Sequence, residues 1–323
     1  MHIQRCRGNT GNCRSHFRRL AEQQERVSGM IDRVVFGDNQ FFGINHMSQD
    51  KASEQAKRFA DLDRIFEVYG YAFEAGIRAV MLNSNDRALA ICDRFRAMKS
   101  QLPPIAWYPS IPYPHKYAGL VAEKGMVGAL QGLLFADGAG SALGKIAQGA
   151  MATLSFDAVR LMRMLVDQEM TIFRGLDVRV VFLQNIIVDL MLGFETPAPF
   201  IEYCSHIRKR YGAKPGLITQ NLPLLHRRLV EWGIKDVVIC SSINKIGYLM
   251  SPDRASYEAV IAQNHPADYQ FMAMSTLASG AIPPTEAYAY INQLNIQSIV
   301  FGASSRANIE KTVASITGGG EAQ

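Results

Sequence analysis

Polar side chains with chemical capacity recur directly after short apolar runs. Asp38 and Asn39 follow Val34–Gly37, Asn83 follows Ile77–Leu82, and Tyr108 closes Ile105–Tyr108. Gln184 and Asn185 end a run that begins at Val178, Gln220 and Asn221 follow Gly216–Thr219, and Lys245 lies beyond Val237–Cys240. Asn45 and His46 extend the first of these loops, and His115-Lys116 extends the third past Pro112 and Pro114. The set is rich in amides and poor in carboxylates. Amides donate and accept hydrogen bonds but exchange no proton near neutral pH. Asn39, Asn45, Asn83, Gln184, Asn185, Gln220 and Asn221, together with Asp38, are therefore expected to bind a polar substrate with many oxygens. They do not suit a two-metal or paired-carboxylate hydrolase.

Proton transfer has fewer candidates. His46 can act as acid or base because a free imidazole titrates at about 6.5; the alternative is a loop histidine that caps backbone. Tyr108 becomes a proton donor if a cation lowers its pKa, and is otherwise packing. The two prolines could aim His115 at the site or leave it facing solvent. Lys245 forms a Schiff base only if desolvated, and is otherwise a surface cation. Asp86, three residues after Asn83, is either an acid or a helix cap.

These positions need a scaffold that gathers strand ends. Apolar strands alternate with amphipathic helices, such as Phe59, Leu62, Phe66, Tyr69 and Phe73 at helical spacing before Gly76. Further strands are expected at Phe271–Met274 and Ser298–Phe301, with helices near Phe156–Phe173, Phe200–Tyr211, Leu222–Trp232, Tyr257–Ile261 and Glu286–Leu294. Eight such units predict a (β/α)8 barrel over residues 33–317, with its active site at the C-terminal strand ends. No GxGxxG follows the first strand, which disfavours an open dinucleotide-binding sheet. Residues 110–154 are rich in Gly and Ala and read as a lid-like insertion after strand three. The last two strands empty into small-residue loops. Ser275, Leu277, Ser279 and Gly280 form one, and Gly302, Ala303, Ser304 and Ser305 form the other, which opens a helix. Backbone N–H groups at such a helix start favour an anion, so these eight residues are the expected phosphate or cofactor contacts.

Several segments resemble the aldo-keto reductase superfamily. Tyr71-Ala72-Phe73-Glu74-Ala75-Gly76-Ile77-Arg78 is similar to its "A-x-E-x-G-I-N" entry to strand two, and Asp236-Val237-Val238 is similar to its entry to strand six. Met274–Gly280 resembles its "Y-S-P-L-x-x-G" loop, and Ser298–Val313 its final "I-P-G-A-S-S-x-x-x-I-x-E-N" strand and helix. The resemblance implies an aldo-keto-reductase-like barrel and NADP as cofactor. That family reduces carbonyls with an Asp, Tyr, Lys and His tetrad. By the resemblance, its Asp falls near Met81 or Asn83, its Lys in the region of Tyr108, and its His at Gln184 or Asn185; no Tyr follows strand two. The Arg that reads the 2′-phosphate falls near Asn308, the adenine-side Glu-Asn becomes Lys311-Thr312, and the aromatic that stacks on nicotinamide falls near Ser242.

Composition narrows the setting. Of a formal charge of +5, residues 1–33 carry +4, as seven arginines against three carboxylates. The remainder is nearly neutral, which argues against a nucleic-acid groove. Residues 1–32 read as a flexible basic extension and 318–323 as a disordered tail; a basic targeting peptide fits less well, because Glu22, Glu25 and Asp32 interrupt it. No apolar core of a signal peptide precedes the first strand, and the longest uncharged apolar run, Gly125 to Ala136, is too short for a bilayer. Five scattered cysteines suit reduced thiols in the cytoplasm. The leading expectation is a small-molecule enzyme that binds a phosphate-bearing ligand and performs lyase, isomerase or cyclase chemistry with His46, Tyr108 and His115. The alternatives are a divergent NADP-dependent oxidoreductase and a ligand-binding protein without catalysis.

Overall fold

A computed structural model describes residues 29–42, 58–113 and 154–318, with side chains in the helix that opens the last stretch described from Met162 onward. Eight parallel strands close on themselves: β1 (Val34–Phe36), β2 (Ala79–Asn83), β3 (Ala106–Ile111), β4 (Asp177–Val178 and Val180–Leu183, on either side of Arg179), β5 (Lys214–Thr219), β6 (Val237–Ser242), β7 (Tyr269–Met274) and β8 (Ser298–Phe301). Strand β1 joins β8 through Val34↔Ile299 and Phe36↔Phe301, and meets β2 at Phe36↔Val80. The described α-helices are α1 (Leu62–Glu74), α2 (Ala88–Ala97), α3 (Leu154–Met170), α4 (Asn185–Gly193), α5 (Ala198–His206), α6 (Leu222–Glu231), α7 (Arg254–Gln263), α8 (Pro284–Asn292) and α9 (Arg306–Thr317). The expected barrel is therefore present.

Strand alternation builds two apolar layers. Val35, Met81, Tyr108, Phe182, Val238, Cys240 and Met272 fill the interior. Phe36, Val80, Trp107, Val181, Ile239 and Phe271 point outward under the helices. Each such side chain contributes about 1.5–3 kcal/mol when fully buried. Edge-to-face contacts of Phe36, Phe59, Tyr69, Phe95 and Trp107 lock α1 and α2 to the sheet. The Phe182 ring, which stacks on Tyr108, crosses directly over Gly216.

Three boundaries differ from expectation. The barrel begins before residue 33. Ile31 is buried in the interior layer, and its N–H donates to Gln270 Oε1 at 2.9 Å. The Asp32 carbonyl accepts from Ser298 Oγ at 2.6 Å, so these residues plug the barrel's N-terminal end. Strand β3 runs on through Pro109 to Ile111, because its pairing with β2 continues to Asn83↔Ser110. Helix α4 starts immediately after β4, where the sequence suggested open loop. The insertion's residues 114–153, residues 1–28 and the tail from 319 lie outside the described residues.

A Cβ at Gly216 would lie 2.4 Å from the Phe182 ring. Gly216→Ala is expected to destabilise the fold by about 1–3 kcal/mol through overpacking, and Phe182→Leu in the same background should recover part of the loss. An unchanged denaturation midpoint for Gly216→Ala would contradict this packing.

Candidate active site

At the C-terminal end of the barrel, side chains from the first four strands form one hydrogen-bonded network. Asn83 Nδ2 donates to Asp38 Oδ1 at 2.6 Å, and the Asn83 N–H donates to Asp38 Oδ2 at 2.9 Å. Asn85 Nδ2 reaches Asp38 Oδ2 at 3.4 Å. On the other side, Gln184 Nε2 donates to Asn83 Oδ1 at 2.7 Å and to Ser110 Oγ at 2.5 Å. Asn83 is thus donor to Asp38 and acceptor from Gln184, which fixes the orientation of its amide.

Asp38 is the site's electrostatic anomaly. It is only 2% exposed and makes no ion pair among the described residues; its described partners are neutral amides. Burial penalises the carboxylate, and although the Asn83 hydrogen bonds oppose this, the pKa is raised to about 6. Tyr113, close enough to sense both Asp38 and Asp86, has its own pKa raised, chiefly by burial. Two further polar atoms are buried at the strand ends without a partner, Gln40 Oε1 beside Gly302 and Ser242 Oγ at the end of β6. Buried polar atoms left unpaired are uncommon in folded proteins, and these two flank the region that a ligand would enter.

The sequence candidates separate into groups. Asp38, Asn83 and Gln184 come together in the network, while Asn39, exposed, touches it at 3.5 Å from Asn83 Nδ2. Asn185 opens α4 beside them, and Gln220 is exposed at the end of β5. Asn221 caps α6, with its Oδ1 accepting from the Leu224 N–H at 3.1 Å, so that oxygen is already committed. Asp86 is exposed and makes no cap; Asn85 Oδ1 accepts from the Arg87 N–H instead. Tyr108 is corrected most sharply. It points down the interior to the N-terminal end, where its hydroxyl donates to Asp32 Oδ2 at 2.5 Å and accepts from the Asp32 N–H at 3.0 Å. Burial and Asp32 raise its pKa, the opposite of what proton donation needs. Lys245 is corrected too: its Nζ pairs with Glu286 Oε1 at 2.5 Å on the surface, without the desolvation that a Schiff base requires. Asn45, His46, His115 and Lys116 lie outside the described residues.

The two loops after β7 and β8 are built differently. In the first, Ser275, Ala278 and Ser279 adopt left-handed backbone with φ of 52°, 47° and 58°, followed by Gly280 at 92°. Left-handed non-glycine residues each cost about 1–2 kcal/mol, and such strain tends to gather at functional sites. Leu277 is half-buried, and Ser279 Oγ donates to the Tyr248 hydroxyl at 3.2 Å. In the second loop, Ser305 caps α9 by accepting from the Asn308 N–H at 3.4 Å. Among the described residues, the N–H groups of Ala303, Ser304 and Ser305 have no carbonyl acceptor. They face the positive end of a 12-residue helix dipole. Gly302 lets the Gln40 side-chain amide lie against the chain here: a Cβ would come 2.1 Å from Gln40 Oε1, so a larger residue would displace that amide.

Solved structures of similar architecture are known. A Pseudomonas aeruginosa protein assigned as an aldo-keto reductase superposes with a TM-score of 0.55 at 11% identity, over 90% of this chain and 91% of its own. The fold is that of the aldo-keto reductases. A protein assigned as 2,5-diketo-D-gluconic acid reductase B gives 0.51 at 10% identity, over 90% of this chain and 87% of its own. No protein-family profile and no curated protein matches the sequence. The likeness to these structures is therefore one of fold, at 10–11% identity.

Asp38 also has a thermodynamic consequence. Its folded-state pKa of about 6 lies above the ordinary value of 3.8, so the folded state binds more protons between those values. Its contribution to stability is present at low pH and declines as pH rises through that window, by up to about 3 kcal/mol. Denaturant titrations between pH 4 and pH 7 should show a decline in the wild type that Asp38→Asn lacks. Parallel curves would contradict a carboxyl whose pKa is raised by burial.

Proposed function

We propose that this chain is an oxidoreductase acting on a small, polar carbonyl or hydroxyl compound, with Asp38 as the proton-exchanging group. The observation that carries this reading is the buried Asp38 carboxyl at the strand ends, held by amides, whose pKa is raised to about 6 by burial. A carboxyl titrating near working pH populates both forms needed for proton transfer, which contributes about 10²–10⁴-fold in rate. The aldo-keto-reductase architecture favours this reading over the lyase, isomerase or cyclase chemistry suggested by the sequence.

NADP is the cofactor that this fold implies. Its phosphates suit the N–H groups of Ala303, Ser304 and Ser305 at the start of α9, and the strained Ser275–Gly280 loop lies on the neighbouring strand end. The unpaired Ser242 Oγ and Gln40 Oε1 offer polar contacts deeper in the barrel mouth. When bound in its reduced form, NADP supplies a hydride. In that direction protonated Asp38 gives its proton to the carbonyl oxygen, and in the reverse direction ionised Asp38 removes the hydroxyl proton. Gln184 and Asn83 hold the carboxyl side of the site in register and bind substrate oxygens through their remaining amide capacity.

Proton transfer without redox chemistry is the second reading. One position favours it: the resemblance puts the nicotinamide-stacking aromatic near Ser242, and a serine hydroxyl cannot stack. Scattered thiols suit a cytoplasmic setting and a small-molecule partner under either reading. Among the described residues no helix is long and apolar enough to cross a membrane.

Fluorescence titration with NADPH separates the readings, with saturable binding expected for the oxidoreductase and none for the redox-free enzyme. With a panel of small carbonyl compounds, Asp38→Asn should lower kcat about 100-fold or more while NADPH binding is retained. The wild-type rate of reduction should fall as pH rises above about 6, because the protonated acid is lost. An Asp38→Asn enzyme with full activity would remove Asp38 from the mechanism, and saturable ligand binding without turnover on any substrate would favour a binding protein.

A further inference from the structure

A second cavity lies away from the strand-end site, against the N-terminal half of β4, the end of α3 and the turn that follows α5. Its volume is about 550 Å³, within the range of small-molecule pockets. Arg174, Arg179 and Arg210 line it together with Asp167, Asp177 and Tyr211. The charges do not cancel. Asp167 Oδ1 is already held by His206 Nε2 at 2.7 Å and by the Tyr211 hydroxyl. Arg179 sits between Asp32 and Asp177 at 3.7 and 3.8 Å, longer than a committed ion pair. Arg174 makes no side-chain hydrogen bond or ion pair among the described residues, and Arg210 meets only the neutral phenol of Tyr211. The lining therefore sets three guanidinium groups against two carboxylates, and Arg174 and Arg210 have no carboxylate partner among the described residues; buried Met170 and Phe173 share the lining.

The backbone is specialised at the same place. Residues Ile207–Tyr211 form a π-helical turn that ends at left-handed Gly212 (φ 60°), and this turn carries both Arg210 and Tyr211. Single π turns within helices occur frequently at functional sites. On the facing wall, Arg96 anchors the Thr171–Phe173 turn by donating to the carbonyls of Ile172 and Arg174. The walls are thus fixed while the Arg174 guanidinium makes no contact among the described residues and Arg210 is held only by the Tyr211 phenol.

We infer that this cavity binds a small organic oxyanion, a carboxylate or phosphate ester attached to an apolar or aromatic body. Arg174 and Arg210 take the oxygens through the bidentate geometry that guanidinium groups favour, and Met170 and Phe173 receive the body. The inference is independent of the chemistry proposed at Asp38.

Isothermal titration at low ionic strength tests it, with phenyl phosphate, benzoate and inorganic phosphate as anionic probes and benzamide as the neutral control. One or both aromatic anions are expected to bind, more tightly than inorganic phosphate and far more tightly than benzamide. A preference between the two identifies phosphate or carboxylate as the anionic group. Arg174→Ala combined with Arg210→Ala should weaken binding at least tenfold at an unchanged melting temperature, and Asp38→Asn should leave it unaffected. If the double variant unfolds, Arg174→Ala alone, which removes no described contact, should still weaken binding severalfold. No binding of any anion, equal binding of benzamide, or affinity that survives Arg174→Ala would overturn the inference.

Discussion

The hydrogen bonds between Asp38 and Asn83 tie the barrel's closure to its chemistry. Strand β1 is three residues long and pairs with β2 at a single position, Phe36↔Val80. Beyond that point the Asp38 side chain takes over, accepting from both the backbone and the side-chain nitrogen of Asn83. A carboxyl used in this way must be buried, and burial without a cation raises its pKa. The mechanical role and the chemical capacity of Asp38 therefore have the same physical origin. The network then runs through Asn83 to Gln184 and Ser110, so four strands contribute to one polar surface.

The two ends of the barrel divide the work. At the N-terminal end, Ile31, Asp32, Tyr108 and Gln270 seal the interior with buried, satisfied hydrogen bonds. At the C-terminal end, left-handed residues, unpaired buried oxygens and open N–H groups remain. Conformational strain and unmet hydrogen-bonding capacity are costly, and a ligand is one source of the missing partners. Barrels of this type in general place catalytic groups at the C-terminal strand ends.

Much of the architecture was legible in the chain. Apolar runs and helical spacing gave all eight strands, because a covered parallel sheet leaves a strong periodic signal. The loop motifs after the last two strands resemble those of the aldo-keto-reductase type of barrel. The helix at Asn185–Gly193 was missed, since an apolar stretch directly after a strand carries no clear start signal. The site was read less well. The sequence marks Asp38 only as one polar contact among several, because its importance lies in burial and in hydrogen bonds to neutral amides, both properties of three-dimensional packing. Tyr108 was misplaced for a related reason: strand position does not say toward which end a long side chain leans, and its hydroxyl finds Asp32. Lys245 and Asn221 are occupied by an ion pair and a helix cap, roles that only the fold reveals.

The Asp38 carboxyl is buried, makes no ion pair among the described residues, and has its pKa raised by burial to about 6. Carbon-13 NMR of the aspartate carboxyl resonances, with Asp38 assigned by comparison with Asp38→Asn, measures this directly. The account predicts a titration midpoint of about 6. A midpoint at or below the ordinary value of 3.8 would mean that Asp38 is a stabilised, permanently ionised carboxylate, and would contradict it.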